Sequence, residues 1–195
     1  MKRIVLTFGL ISGAVLCAMM VSTMPFHEQI GYDRSLIVGY TTMVLAFLLV
    51  FFGIRSYRET IGNGQISFLR AVGVGLLIMT IATICYVVSW EIIYFNFMPD
   101  YLDKYAAYAV EQMRASGKSP EQIEQEVNSM KSMIQLYKSN IFFNLAITFS
   151  EPLPVGVPMT IISALILRKR RRENRDLQDY QDGVKGNPVN LGNPV

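Results

Sequence analysis

Among 195 residues there is one histidine, His27, and only two cysteines, Cys17 and Cys85. A single imidazole excludes every two-histidine zinc site, and the "HEQIG" around His27 does not match a metalloprotease motif, so His27 reads as a loop residue. Two cysteines, each inside an apolar block, give no disulfide framework, and small thiols in such places pack as apolar groups. A Walker sequence, a dinucleotide fingerprint and a nucleophilic serine or cysteine constellation are missing too. No catalytic residue, metal or cofactor is therefore expected, and the chain is read as a non-enzyme. Charge is also scarce: 17% of residues are charged against 51% hydrophobic, too few for an ordinary soluble surface.

What is present is apolar length. Four blocks, Ile4 to Met24, Leu36 to Ile54, Leu69 to Tyr94 and Ile141 to Leu167, hold most of the hydrophobic residues. Each approaches or exceeds the roughly 20 residues that a helix needs to cross about 30 Å of hydrocarbon. The first two contain no charged residue at all, whereas the outer face of a soluble bundle would carry one at every second or third position. The expected fold is all-α: a polytopic membrane protein with transmembrane helices over about 4–24, 36–54, 69–94 and 141–167. These make one domain, 1–172, followed by a largely disordered tail, 173–195. The basic start of the first block is shared with signal peptides, but the apolar run exceeds their 7–15 residues and lacks a clean A-x-A, so it is kept as a helix.

Alternation assigns Lys2, Arg3, Arg55, Arg58, Arg70 and the run Arg168, Lys169, Arg170, Arg171, Arg172 to one side. Basic residues are retained on the cytoplasmic side, which predicts an inner-membrane, multi-pass protein with both termini cytoplasmic. The formal charge of +3 reflects that collar, which serves as a membrane-surface anchor near anionic headgroups; no nucleic-acid partner is implied. Trp90, Tyr94, Phe95 and Phe97 gather where the third block ends and read as an interfacial belt.

Between the third and fourth blocks, Leu102, Ala106, Ala109 and Met113 recur at helical spacing, and Ile123, Val127, Met130, Ile134 and Tyr137 resume it after "ASGKSPEQ". This predicts an extracytoplasmic helical hairpin over about 99–139, projecting as an antiparallel pair. Ser119, Pro120 and Gln122 spell N-cap, first helical position and capping box. In the short inner loop, Gly62-Asn63-Gly64 makes a tight reversal and Ser67 is placed to cap the third helix. Gly9 and Gly13, and Ala71 and Gly75, offer small-residue packing surfaces within the chain, with homodimerisation second.

The fourth block contains "FSEPLPVGVPM". Counting along helices puts Glu151 at roughly the depth of Glu91, so the two carboxylates are expected to meet at one level. Pro152, Pro154 and Pro158 remove three amide donors and predict a broken or extended stretch before a regular helix "MTIISALIL". Irregular backbone at that depth is tolerated only where protein or trapped water covers it. Glu91, Glu151 and the three prolines thus form a candidate polar site of the kind that binds a proton or cation; the plain alternative is a kinked helix whose glutamate is hydrogen-bonded or protonated.

Three stretches, "FFGIRSYRE", "GNGQISFLRAVGVGLL" and "SEPLPVGVPMTIISALILRKR", together resemble a bacterial four-helix membrane family catalogued as domain of unknown function 4199. The likeness runs from the first span to about Arg172. It implies an inner-membrane protein without supplying a mechanism or a functional residue. Two readings of function follow. The first is a non-enzymatic accessory or scaffold protein whose outer hairpin contacts a membrane or periplasmic partner. The alternative is a small, oligomeric transporter or channel-like protein that uses Glu91 and Glu151 for protons or cations.

Overall fold

The computed structural model describes residues 1–26 and 30–169. His27, Glu28, Arg170, Arg171, Arg172 and the tail 173–195 lie outside the described residues. The described chain is all-α, with helices α1 (Lys2–Thr23), α2 (Tyr32–Thr60), α3 (Phe68–Phe97), α4 (Tyr101–Ala115), α5 (Pro120–Ser139), α6 (Ile141–Ser150) and α7 (Leu153–Leu167). A 3-10 turn, Met24–Phe26, follows α1. Helices α1, α2 and α3 are each long and apolar enough to cross a membrane, and α6 and α7 qualify as one further span if taken together across a bend of 42°.

Close approach of the helices follows from small residues at the contacts. A Cβ added at Gly13 would lie 2.7 Å from Cys85 Cβ, and one at Gly9 would lie 2.8 Å from Ile81 Cβ, so the G-x-x-x-G of α1 seats that helix against α3. The Ser12 hydroxyl, fully buried, donates to the Ala46 carbonyl at 3.1 Å and ties α1 to α2. Helix α7 fills the groove between α2 and α3, with Gly156 facing Met79 and Phe47. Phe47, Val50, Ile54, Ile78, Ala82 and Ala164 have no exposed surface at this centre. Outward, Leu6, Ile37, Leu45, Ile84, Val88 and Ile166 are exposed. Helices apolar on their outer as well as their inner faces suit a hydrocarbon surround, since water would meet a continuous apolar coat.

The α2–α3 loop does more than reverse the chain. Asn63 and Gly64 take positive φ angles of 47° and 79°, and the loop then pairs with the end of α7: Ile66 and Lys169 exchange backbone hydrogen bonds of 3.1 and 3.0 Å. Arg58 donates to the Leu167 carbonyl at 3.4 Å, while Arg55 pairs with Glu59 at 2.9 Å. Ser67 occupies the N-cap position of α3 but makes no side-chain cap bond. Arg168 and Lys169, the described part of the basic run, are both exposed.

Helix α5 begins with both halves of a capping box: Ser119 Oγ accepts from the Gln122 amide and Gln122 Oε1 accepts from the Ser119 amide. Leu102, Ala106, Ala109 and Met113 of α4, like Ile123, Val127, Met130 and Ile134 of α5, are half-buried, and the two helices pack on each other. The pair is tethered at its base, where Tyr32 meets the rings of Tyr101, Tyr105 and Tyr108 at 5.9, 5.5 and 4.9 Å. Tyr108 donates to Asp33 at 2.7 Å, and Lys138 pairs with Asp103 at 2.6 Å. Asn140 then turns the corner into α6, its side chain accepting from the Phe142 and Phe143 amides.

The break between α6 and α7 is shorter than the sequence predicts. Glu151 keeps helical angles (φ −60°, ψ −43°), Pro152 stands as N-cap, and α7 runs from Leu153, well before Met159. The physical reason is position: Pro152 and Pro154 fall in the cap and first turn, where amides have no helical acceptor to lose, and only Pro158 sits inside the helix.

Candidate functional site: a carboxylate-bearing cavity beneath the hairpin

The bend decides where the cavity lies. Helix α7 packs on α2 and α3, whereas α6 packs on α3 and α5. Above the elbow the fourth segment therefore leaves α2, and the space it vacates is bounded by the ends of α1 and α3, the start of α2 and the base of the hairpin. The cavity measures about 450 Å³. Six tyrosines and the sole tryptophan, Trp90, line it, together with seven methionines. Among the described lining residues Glu151 is the one Asp, Glu, Lys, Arg or His. Methionine's unbranched thioether adapts to irregular occupants, and the rings supply broad, rigid faces.

Glu151 stands at the elbow itself. Its Oε2 accepts from the Tyr86 hydroxyl at 2.6 Å, and the residue is exposed and lines the cavity. No described basic side chain pairs with it.

Further along the same α3–α6 seam runs a polar relay. Trp90 Nε1 donates to the Tyr137 hydroxyl at 2.9 Å, Tyr137 lies 3.0 Å from Thr148 Oγ1, and Thr148 reaches Asn144 Oδ1 at 3.5 Å. Glu91 faces Asn144 and Thr148. Both of its carboxylate oxygens and Asn144 Nδ2 are buried without a well-formed hydrogen bond, as are the hydroxyls of Thr83 and Thr160. The two glutamates thus share a seam without touching. Tyr86, which holds Glu151, precedes Glu91 by five residues, roughly 7.5 Å of helix rise.

Of the aromatic cluster read as a belt, Phe95 and Phe97 are exposed at 55% and 64%, while Tyr94 is buried at 3%. Trp90 packs on Tyr94 and on Tyr101, and Tyr94 on Tyr137. These inner rings hold the hairpin base to α3. Outside the apolar segments, burial pushes the Tyr101 hydroxyl up to about 12, with the nearby Tyr32 hydroxyl, Glu151 and Tyr105 adding to the effect. Burial likewise raises Tyr137. Tyr108 is raised chiefly by its hydrogen bond to Asp33.

The groups that face the carboxylates, Tyr86, Asn144 and Thr148, went unnoticed in the sequence, and Tyr137 was read only as part of the hairpin's apolar stripe. Their signal is visible once sought: Asn144, Thr148 and Glu151, spaced four and three apart, form a polar stripe on an otherwise apolar helix. Tyr86 and Trp90, four apart, lie on the cavity side of α3. Among the described residues no group of three His, Cys, Asp or Glu side chains is placed to hold a metal ion.

No curated protein and no solved structure matches this chain. The family described as "Protein of unknown function (DUF4199)" matches over residues 7–169, which takes in the cavity, the seam and the hairpin. The chain belongs to this family.

Proposed function

We propose that the chain is a non-enzymatic, four-span inner-membrane protein that receives a membrane-soluble ligand in the cavity beneath its hairpin. In this reading α6 and α7 form the fourth span, the hairpin is periplasmic and both termini are cytoplasmic. The observation that carries it is the elbow: the bend opens about 450 Å³, a volume within the range of small-molecule sites, and aims a carboxylate into it. Of the two sequence-level readings this favours the transporter-like one. The apolar stripe of the hairpin is largely occupied by α4–α5 pairing and by the contacts with Tyr32, which leaves little of it to dock a scaffold partner. Four spans are few for a pathway through one chain, so transport would require an oligomer.

Trp90 gives the test, because the only tryptophan lines the cavity. In nanodiscs, a neutral brominated alkane should quench Trp90 saturably. Gly39→Phe, which adds a ring on a cavity-lining residue with nothing within 4 Å of a new Cβ, should weaken that quenching. Linear quenching, equal in both proteins, would refute the cavity as a ligand site. Orientation has its own check. With Cys17 and Cys85 replaced, Ser119→Cys should react with an impermeant maleimide in spheroplasts and Gly183→Cys should not; the reverse pattern overturns the topology.

A further inference from the structure

The cavity has an asymmetry that bears on the kind of ligand it takes. Among the described residues its walls are largely apolar and aromatic, yet one carboxylate, Glu151, lines it at the elbow, and the described hydrogen-bond partner of that carboxylate is a phenol and no basic side chain. A neutral lipid tail would fill the apolar volume but bring no counter-charge to this carboxylate, which pairs with no basic side chain among the described residues. An anion would meet Glu151 across a medium of low dielectric, where like charges repel strongly. A cation with apolar substituents satisfies both halves, since its charge faces Glu151 and its substituents meet rings and thioethers.

The rings are also suited to a cation. Tyr86, Trp90 and Tyr101 all line the cavity, with Trp90 and Tyr101 edge to face at 5.3 Å. Aromatic faces attract a cation held within about 6 Å of the ring, and more so when water is excluded. Tyr86 has a second role. By donating to Oε2 at 2.6 Å it restrains the Glu151 side chain, whose other oxygen has no described hydrogen-bond partner.

We infer that the cavity binds lipophilic monocations, quaternary ammonium or phosphonium ions bearing apolar groups, with Glu151 as counter-ion and Tyr86, Trp90 and Tyr101 as its aromatic wall. This rests on the ligand-receiving reading above and names the ligand class of that site.

The experiment uses two ions of nearly the same shape and opposite charge, tetraphenylphosphonium and tetraphenylborate, added to the full chain in nanodiscs and followed by Trp90 fluorescence. The phosphonium should bind saturably, and the borate should not compete with it. Glu151→Gln, which keeps the size of the side chain, should weaken phosphonium binding by at least about tenfold, the loss expected for one buried counter-charge. Tyr86→Phe keeps the charge and frees an oxygen, so phosphonium binding should persist. Far-ultraviolet circular dichroism and thermal unfolding establish that each variant is folded before it is compared.

Equal affinity for the two ions, or for phosphonium in wild type and folded Glu151→Gln, would overturn the cation class; if the brominated alkane still binds saturably, the cavity reading stands without it. Failure of the alkane and both ions to bind saturably would remove both readings.

Discussion

If Pro152 and Pro154 cause the elbow, replacing both by alanine should close the cavity. Helix α6 has ten residues, about 15 Å of rise, and a bend of 42° displaces its far end by about 10 Å, comparable to the separation of two packed helices. The space beside α2 is thus one helix wide because one helix has been swung out of it. In Pro152→Ala/Pro154→Ala, amides at 152 and 154 become available to the Thr148 and Ser150 carbonyls. In hydrocarbon an unmade backbone hydrogen bond costs several kcal/mol. The opposing contacts, Tyr86 to Glu151 and Tyr137 to Thr148, contribute about 0.5–3 kcal/mol each, so the straighter helix should win. Spin labels at Ile37 of α2 and Phe142 of α6, both exposed, would report the movement by double electron–electron resonance in a cysteine-free background. The interspin distance should shorten by several ångströms, approaching 10 Å for full straightening, and saturable quenching of Trp90 should fall with it. An unchanged distance distribution would show that packing of α6 on α3 and α5, and not the prolines, sets the bend.

Gly13→Leu should destabilise the monomer by about 1–3 kcal/mol through overpacking, because its Cβ would meet Cys85 Cβ at 2.7 Å and a side-chain rotation cannot relieve a Cβ–Cβ clash; thermal unfolding in detergent checks this, and loss of a dimer with no change in monomer stability would assign the glycines to a homodimer instead. Ser119→Ala removes the hydroxyl half of the capping box and should cost about 0.5–2 kcal/mol, seen as faster amide exchange in the first turn of α5 with α1–α3 unchanged; protection equal to wild type would mean that the cap does not hold that turn. Tyr101 supplies a pH dependence: the fold holds the neutral phenol, so its contribution is complete below pH 10, the ordinary tyrosine value, and is lost as pH rises towards 12. The loss is at most about 2–3 kcal/mol; Tyr101→Phe should flatten the alkaline limb of a stability curve, and an identical limb in both proteins would refute the assignment. Deleting Tyr101 to Lys138 tests the accessory reading, since an unchanged set of co-purifying proteins would remove the hairpin as a partner-binding head.

Local chemistry made much of this molecule legible before its fold. Long apolar runs can only be helices if they are to satisfy their backbone in hydrocarbon, and α1, α2 and α3 follow from that. The capping box at Ser119 and the stripes from Leu102 to Tyr137 are relations between residues a few positions apart, so α4 and α5 were readable, as were Glu151 and its prolines as an anomaly. Which groups face that glutamate was not readable. Tyr86 lies 65 residues away, and Thr148 meets Tyr137 only because Asn140 turns a corner between their helices. The extent of the break was also beyond the sequence, because a proline's cost depends on whether its amide has an acceptor in the arrangement the helix adopts, and at this bend Pro152 and Pro154 fall in the cap and first turn of α7, where it has none. Composition and spacing fixed the helices, since their determinants lie within a few turns. The tertiary structure alone decided that a 42° bend, by lifting α6 from α2 while α7 stays packed, leaves a cavity beside a carboxylate, because the direction in which a broken helix departs is set by the helices it packs against.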